Sequence, residues 1–323
     1  MSRGAVLVVG AVVLALMPAF FLGPNSHSLH VLTLALLFAA MAQSWNFVGG
    51  LANQMSLGHG AFFGVGAYAS TLLLIAFGLS PWVGMIAAGA LGGALAFLVS
   101  LPTMQLQGHY FALATLAFGE VLRTVANSWT SLTGGPVGLS VPFVPDSLAM
   151  LTFKETRPFY FIVLAFLAVI TLIFEGVRSS ALGYRLRAVR ENIDAAEVVG
   201  VDTARAKIQA AVISGALMAM CGTLYAQITY FFDPDTVFGL GAISIRVALI
   251  AIVGGIGTAS GPIVGALFII PVEEAANTVL SSQSAGISQL AYGLILIAVI
   301  LLQPRGLMAL ADGAWAWHSK AAR

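Results

Sequence analysis

A handful of side chains hold most of the chemistry open to the apolar stretches of this sequence: His59, Glu120, Arg123, Cys221, Arg246, Glu273 and Glu274. Ionisable groups inside apolar spans are expensive, and they mark solute or proton paths by default. Glu120 and Arg123 stand three residues apart on one helix face and can neutralise each other. That pairing is the plainer reading, with solute contact the alternative. One of Glu273 and Glu274 is expected to meet Arg246 across helices, and the other to lie near the outer interface. His59 sits in a Gly-rich turn and reads as a hydrogen-bonded structural residue rather than a proton carrier. Cys221 is the single cysteine and lies in an apolar run, which excludes an internal disulfide or a cysteine metal cage. No metal-ligand spacing and no His/Asp/Glu cluster fit for a membrane enzyme stand out. No Gly-rich loop ends in Lys-Ser or Lys-Thr to cradle a nucleotide. The chain is therefore expected to be no enzyme and to hold no cofactor. If ATP drives it, ATP and Mg are bound by other subunits.

The elements that must position these residues follow from composition. Of 323 residues, 59% are hydrophobic and 8% charged, against about 25% charged in a soluble domain. A globule this size could not cover its surface with so few charges, so most of that surface meets lipid. The net charge of +1 gives no field to attract nucleic acid. Met1-Ser2-Arg3 and the apolar run after it read as an uncleaved first span, since Ala19-Phe20-Phe21 is a poor cleavage site. Counting runs of about 20 apolar residues yields ten candidate spans: 4–22, 29–48, 61–79, 82–101, 110–127, 159–174, 210–230, 244–256, 263–280 and 287–302. The expected fold is all-α and polytopic, with some short or broken helices, as one transmembrane domain over residues 1–323. Of 14 Lys and Arg, six fall at Arg178, Arg185, Arg187, Arg190, Arg205 and Lys207. Basic loops stay cytoplasmic, so the segment at about 178–207 is placed inside, with both termini. Residues 231–241 carry Asp233 and Asp235 and no basic residue. They are placed outside, as is the loop at about 128–157.

Two short helices are expected within residues 180–208, the second capped by Gly200. A basic amphipathic loop of this kind suits either anionic headgroups or a docking partner. Two Gly-rich stretches, Ser56–Ala67 and Gly254–Ala266, interrupt apolar runs in the two halves. Such breaks point to a conduction site, and close helix packing on small residues is the plainer alternative. The path candidates are Asn46, Ser56, His59, Phe62, Glu120, Gly254, Gly255 and Gly257.

The string Asp194-Ala195-Ala196-Glu197-Val198-Val199-Gly200 resembles the cytoplasmic signature of ABC importer permeases, which more often opens with Glu. The longer run from Gly183 through Arg190-Glu191-Asn192 to Val201 is similar to the branched-chain amino-acid permease family, the LivM-type subunit. Residues 46–68, 108–120, 133–138 and 254–266 resemble further blocks of that family, in order. The chain departs from the family pattern at Gly60, His109 and Arg246. The resemblance implies half of a translocation pathway for branched-chain or other hydrophobic amino acids, in the bacterial inner membrane. It implies a second homologous permease, two cytoplasmic ATPase subunits and an extracytoplasmic solute-binding protein. It also implies that Arg187, Arg190, Glu191, Asn192, Ala195, Ala196 and Gly200 form the coupling contact with the ATPase. Look-alike importers carry urea, amides or aromatic acids. An ion-coupled secondary transporter, using Glu120, Glu273 or Glu274, is the rival of another class.

Overall fold

The computed structural model describes residues 18, 20–103, 105–143, 146–280, 293, 294, 297, 301 and 306–308. The expected spans at 4–22 and 287–302 fall largely outside these residues, as do both chain termini. Helix α1 (His27–Asn46) contains no Asp, Glu, Lys or Arg, and Ser26 caps it by accepting the Leu29 N–H at 3.3 Å. It is apolar all round, so it can be buried all round, and most of it is enclosed by the other helices. It runs on into a π turn at Phe47–Leu51. Helices α2 (His59–Phe77), α3 (Pro81–Thr103), α4 (Gly108–Ser128) and α6 (Thr156–Ser179) follow, with a four-residue turn α5 (Thr130–Thr133) after α4. Two short helices, α7 (Ala181–Glu191) and α8 (Ile193–Val198), precede the 27-residue α9 (Thr203–Thr229). After a short α10 (Pro234–Phe238) and a π turn at Leu240–Ile245 come α11 (Arg246–Gly254) and α12 (Gly261–Leu280).

The protein is an all-α polytopic membrane protein, and among the described residues five helices are long and apolar enough to cross a membrane. They cover residues 27–51, 59–77, 81–103, 156–179 and 203–229. This corrects the ten expected from apolar runs. The runs at 110–127, 244–256 and 263–280 do form helices, but each falls short for a physical reason. Helix α4 is amphipathic and carries Glu120 and Arg123. Helix α11 has only nine residues, because the chain before it is wound as a π turn. Helix α12 carries Pro271 within it, and Glu273, Glu274 and Asn277 interrupt its apolar run.

Packing explains why this sequence holds together in a solvent as apolar as its own surface. Lipid gives helices no hydrophobic reason to associate, so close contact between small residues must supply it. Helix α9 lies along α2 and α3, and α1 is wrapped by α6, α9, α11 and α12. A Cβ at Gly66 would strike the Ala219 carbonyl, and one at Gly222 would strike the Phe63 carbonyl. Glycine at both positions lets the α2 and α9 backbones touch.

The two ends of α9 separate two regions about 40 Å apart, at 1.5 Å per residue. At its start lie α7 and α8. At its end lies a two-residue antiparallel ladder in which β1 (Leu139–Ser140) pairs with β2 (Phe231–Phe232), Leu139 opposite Phe232. The ladder departs from the all-helical expectation, as does an antiparallel bridge between Ser147 and Thr152 in the loop before α6. The Tyr230 hydroxyl donates to the Phe153 carbonyl and accepts the Phe153 N–H, both at 3.1 Å. Trp82 Nε1 donates to the Leu148 carbonyl at 2.9 Å. These bonds fasten much of residues 128–157 onto that end.

Candidate functional site

The two short helices expected near residue 190 are present. Leu186 and Val189 anchor α7, and both are buried. Arg187 lays its guanidinium over the Tyr184 ring, 4.4 Å from its centre. Asn192 interrupts the helix with extended backbone, and its Oδ1 accepts the Ala195 N–H at 3.0 Å to start α8. The short side chain of Asn suits such a cap. Ala196 is buried beneath α8, while Glu191, Asp194, Ala195 and Gly200 are exposed. Gly200 has φ +84, and the Val201 N–H reaches back to the Ala196 carbonyl at 3.0 Å. That left-handed residue and long return bond form the helix stop that glycine allows. Val198 and Val199 remain 86% and 77% exposed, so α8 presents apolar surface rather than burying it.

Arg190 stays exposed on this surface, and its guanidinium touches the edge of the bundle. Its Nη1 donates to the Gly50 carbonyl at 2.9 Å, in the π turn that ends α1. A Cβ on Gly257 would stand 2.7 Å from the same nitrogen. Asn46 joins the two broken segments with both ends of its amide. Its Nδ2 donates to the Thr258 carbonyl at 2.9 Å, and its Oδ1 accepts the Gly257 N–H at 2.8 Å. Gly255 and Gly257 carry positive φ, +133 and +77, and Thr258 Oγ1 ties the turn by donating to the Gly255 carbonyl at 2.7 Å. Gly254 touches the Gly261 carbonyl at the start of α12. Irregular backbone inside a membrane must find partners within the protein. Here Arg190, Asn46 and Thr258 supply them. The structure thus brings Asn46, Gly254, Gly255, Gly257 and Arg190 together in one joint.

Ser56, His59 and Phe62 form a second cluster. Ser214 Oγ donates its only hydrogen to the Ser44 carbonyl at 2.6 Å. His59 Nε2, 2.8 Å from that Oγ, must therefore be the donor. Nδ1 is left to accept from Ser56 Oγ at 2.9 Å. The ring is a neutral, fully bonded link between α2, α9 and the end of α1, as a structural histidine would be. Phe62 meets it edge-on at 5.7 Å. The cavity here is about 20 Å³, room for about one water.

A family profile described as the branched-chain amino acid transport system / permease component matches residues 28–302. The chain belongs to this family. It is 28% identical over 303 residues to the high-affinity branched-chain amino acid transport system permease protein LivM of Salmonella typhimurium, covering 87% of this chain and 70% of that one. The LivM protein of Escherichia coli is also 28% identical, over 86% of this chain and 69% of its own. A probable branched-chain amino acid transport permease protein LivH of Methanocaldococcus jannaschii is 26% identical, over 79% and 83%. No solved structure matches the chain.

In this permease Glu120 lies apart from the other path candidates. Arg123 Nε donates to its Oε2 at 2.9 Å, the pairing that their spacing suggests. Arg123 Nη1 also reaches Asp235 Oδ1 at 2.8 Å, and Asn127 Nδ2 joins at 3.2 Å. Asp235 was not legible as a partner, because it lies 112 residues away in sequence. Arg246 meets Glu273 at 2.5 Å, and Glu274 meets His27 at 3.1 Å. Among the described residues, no group of three or more His, Cys, Asp or Glu could hold a metal ion. The eight path candidates therefore fall in three places: the Asn46–Gly257 joint, the His59 cluster and the Glu120 pair.

Proposed function

We propose that this permease is a LivM-type subunit of an ABC-type importer. It forms half of the pathway for branched-chain or other hydrophobic amino acids in a bacterial inner membrane. A second homologous permease completes the pore, a solute-binding protein delivers cargo outside, and two ATPase subunits bind inside. The 28% identity to two LivM proteins supports the subtype. The orientation puts α7 and α8, with their Arg and Lys residues, in the cytoplasm. The end carrying residues 128–157 and 231–239 then faces out.

The observation that carries the coupling role is the Arg190–Gly50 bond. The exposed Val198 and Val199 offer the ATPase an apolar foothold on α8. Arg190, at the end of α7, grips the π turn below α1 and borders Gly257 below α11. A push on α7 and α8 is thereby delivered to backbone at the foot of two helices, where π and glycine turns bend more readily than regular helix. The permease performs no bond chemistry of its own. Binding and hydrolysis of ATP, with Mg, occur on the partner subunits.

Purification of the chain with its native partners tests this reading. A nucleotide-binding subunit should co-purify, and reconstituted vesicles should take up labelled leucine only with ATP and the binding protein. Uptake that survives ATP depletion and collapses with an uncoupler would instead support the ion-coupled rival. Replacing Val198 and Val199 by Asp should release the ATPase while the permease pair stays inserted.

A further inference from the structure

At the end of the bundle remote from α7 and α8, a cavity of about 300 Å³ opens between α1, α9, α12 and the π turn before α11. Its volume is at the small end of the range for ligand sites, the size class of a single amino acid. Charges of both signs line it. Arg246 Nη2 stands 2.5 Å from Glu273 Oε2, and each side chain keeps about a quarter of its exposure, 25% and 24%. Arg246 Nε is enclosed and has no hydrogen-bond partner among the described residues, and Glu273 Oε2 is enclosed against Arg246 Nη2 alone. Glu274 also faces the cavity and holds His27 at its rim. The Arg246 guanidinium rests over the Phe38 ring at 4.2 Å, and Val31, Leu34 and Ile270 complete an apolar wall.

A purely structural pair in such a place would be closed and fully bonded, because desolvated charges must be repaid by good geometry. This pair is not fully bonded. It keeps free donors on a planar fork that suits a carboxylate. The Arg246 contact uses Glu273 Oε2, which leaves Oε1 to suit an ammonium group. Between them lie an aromatic face and aliphatic side chains. The geometry points to a subsite for the zwitterionic head of an apolar α-amino acid. Arg246 takes the carboxylate, Glu273 takes the ammonium group, and Val31, Leu34 and Phe38 receive the side chain. Ligand entry exchanges each charge's partner for one of the same sign, so neither is left uncompensated. The inference rests on the importer reading and deepens it. In the proposed orientation the cavity is at the outward end, and the pathway itself checks cargo after release from the binding protein.

The chain offers a clean probe, because its only cysteine, Cys221, is buried. Ala242 lines the cavity and is exposed, so Ala242→Cys can be labelled there with a maleimide. The test uses the assembled transporter in nanodiscs. Saturating L-leucine should slow labelling severalfold. Leucinol, which lacks the carboxylate, and 4-methylpentanoate, which lacks the ammonium group, should not. In the Glu273→Gln and Arg246→Lys backgrounds the protection should vanish. In vesicles with binding protein and ATP, Glu273→Gln should lower leucine uptake roughly tenfold, the size of one lost charge-assisted hydrogen bond. Co-purification of the ATPase with each variant checks that it has assembled.

Equal protection by all three compounds, or none by leucine in a transporter that carries leucine, overturns the subsite. Normal uptake by the exchanged pair Arg246→Glu/Glu273→Arg also overturns it, since a mere interhelical lock works in either polarity. Failure of the unaltered complex to couple ATP to any amino-acid uptake defeats the importer reading, and the subsite falls with it.

Discussion

Arg190 and Arg246 are both cations set against the ends of broken helices, and they are bonded in opposite ways. Arg190 comes from an exposed surface helix and donates to a backbone carbonyl that the π turn exposes. Its neighbours are glycines and the Asn46 amide, with no acidic side chain bonded to it among the described residues. Arg246 sits at the start of α11, beside a cavity, facing Glu273 in an ion pair that leaves bonding capacity unused. The first arrangement transmits position, because backbone must move when the guanidinium moves. The second can exchange partners, because neither charge is fully engaged. One arginine is thus suited to carry force and the other to sense a solute.

The largest expected effect comes from filling the Arg190 joint. Gly257→Val would place a β-branched residue at φ +77, which costs about 1–3 kcal/mol in backbone strain. Its Cβ would also displace Arg190 Nη1. Uptake should be lost although the chain still inserts, as read by membrane fractionation and transport in the same preparation. Arg190→Ala comes next. It strands the Gly50 carbonyl, at about 1–3 kcal/mol, and should cut ATP-driven uptake roughly tenfold. Arg190→Lys should recover only part, since an ammonium lacks the planar fork. The decisive feature is cargo. Loss at Arg190 should be equal for every amino acid carried, whereas loss at Arg246 should follow the charges of the solute. A cargo-dependent Arg190→Ala defect would dissolve the contrast between the two sites.

Asn46 sharpens the comparison further. Asn46→Leu removes one donor and one acceptor, and leaves the Thr258 carbonyl and Gly257 N–H without partners. Thermal unfolding of the detergent-solubilised protein should shift down by an amount comparable to Arg190→Ala. Combined with Arg190→Ala it should be non-additive, with about 0.5–3 kcal/mol of coupling, because both residues brace one joint. Combined with Glu273→Gln it should be additive, because that residue lies near the far end of the bundle.

The sequence shows why these partnerships divide into visible and hidden ones. Helix α7, helix α8 and the stop at Gly200 were legible because helix-forming runs, helical spacing and a glycine stop act within a few residues. The Glu120–Arg123 pair was legible for the same reason. Arg246 with one of two glutamates was legible because charges in apolar runs have few acceptable partners. The bond from Arg190 was not, since its acceptor is a glycine carbonyl 140 residues away, and any residue type carries a carbonyl. Counting apolar runs also overcounted spans, because such a run does not register the π turn before α11. The pairing of Leu139–Ser140 with Phe231–Phe232 was hidden because two residues are too few to show an alternating pattern.

Arg123 supplies the baseline for both arginines and the smallest predicted effect. It bonds Glu120 and Asp235, yet it is 38% exposed and Asp235 67% exposed. Water and salt screen such a pair, and it is worth about 0–1 kcal/mol. Asp235→Asn should keep the hydrogen-bond acceptor while removing the charge. Stability should fall by no more than that amount, and the difference should shrink further as salt is raised. Uptake should stay within about twofold of the unaltered protein, since 1 kcal/mol spread over folded and transport states rarely reaches tenfold. If Asp235→Asn instead abolished uptake, charge alone at any arginine would matter. The distinct roles assigned to Arg190 and Arg246 by their bonding would then lose their basis.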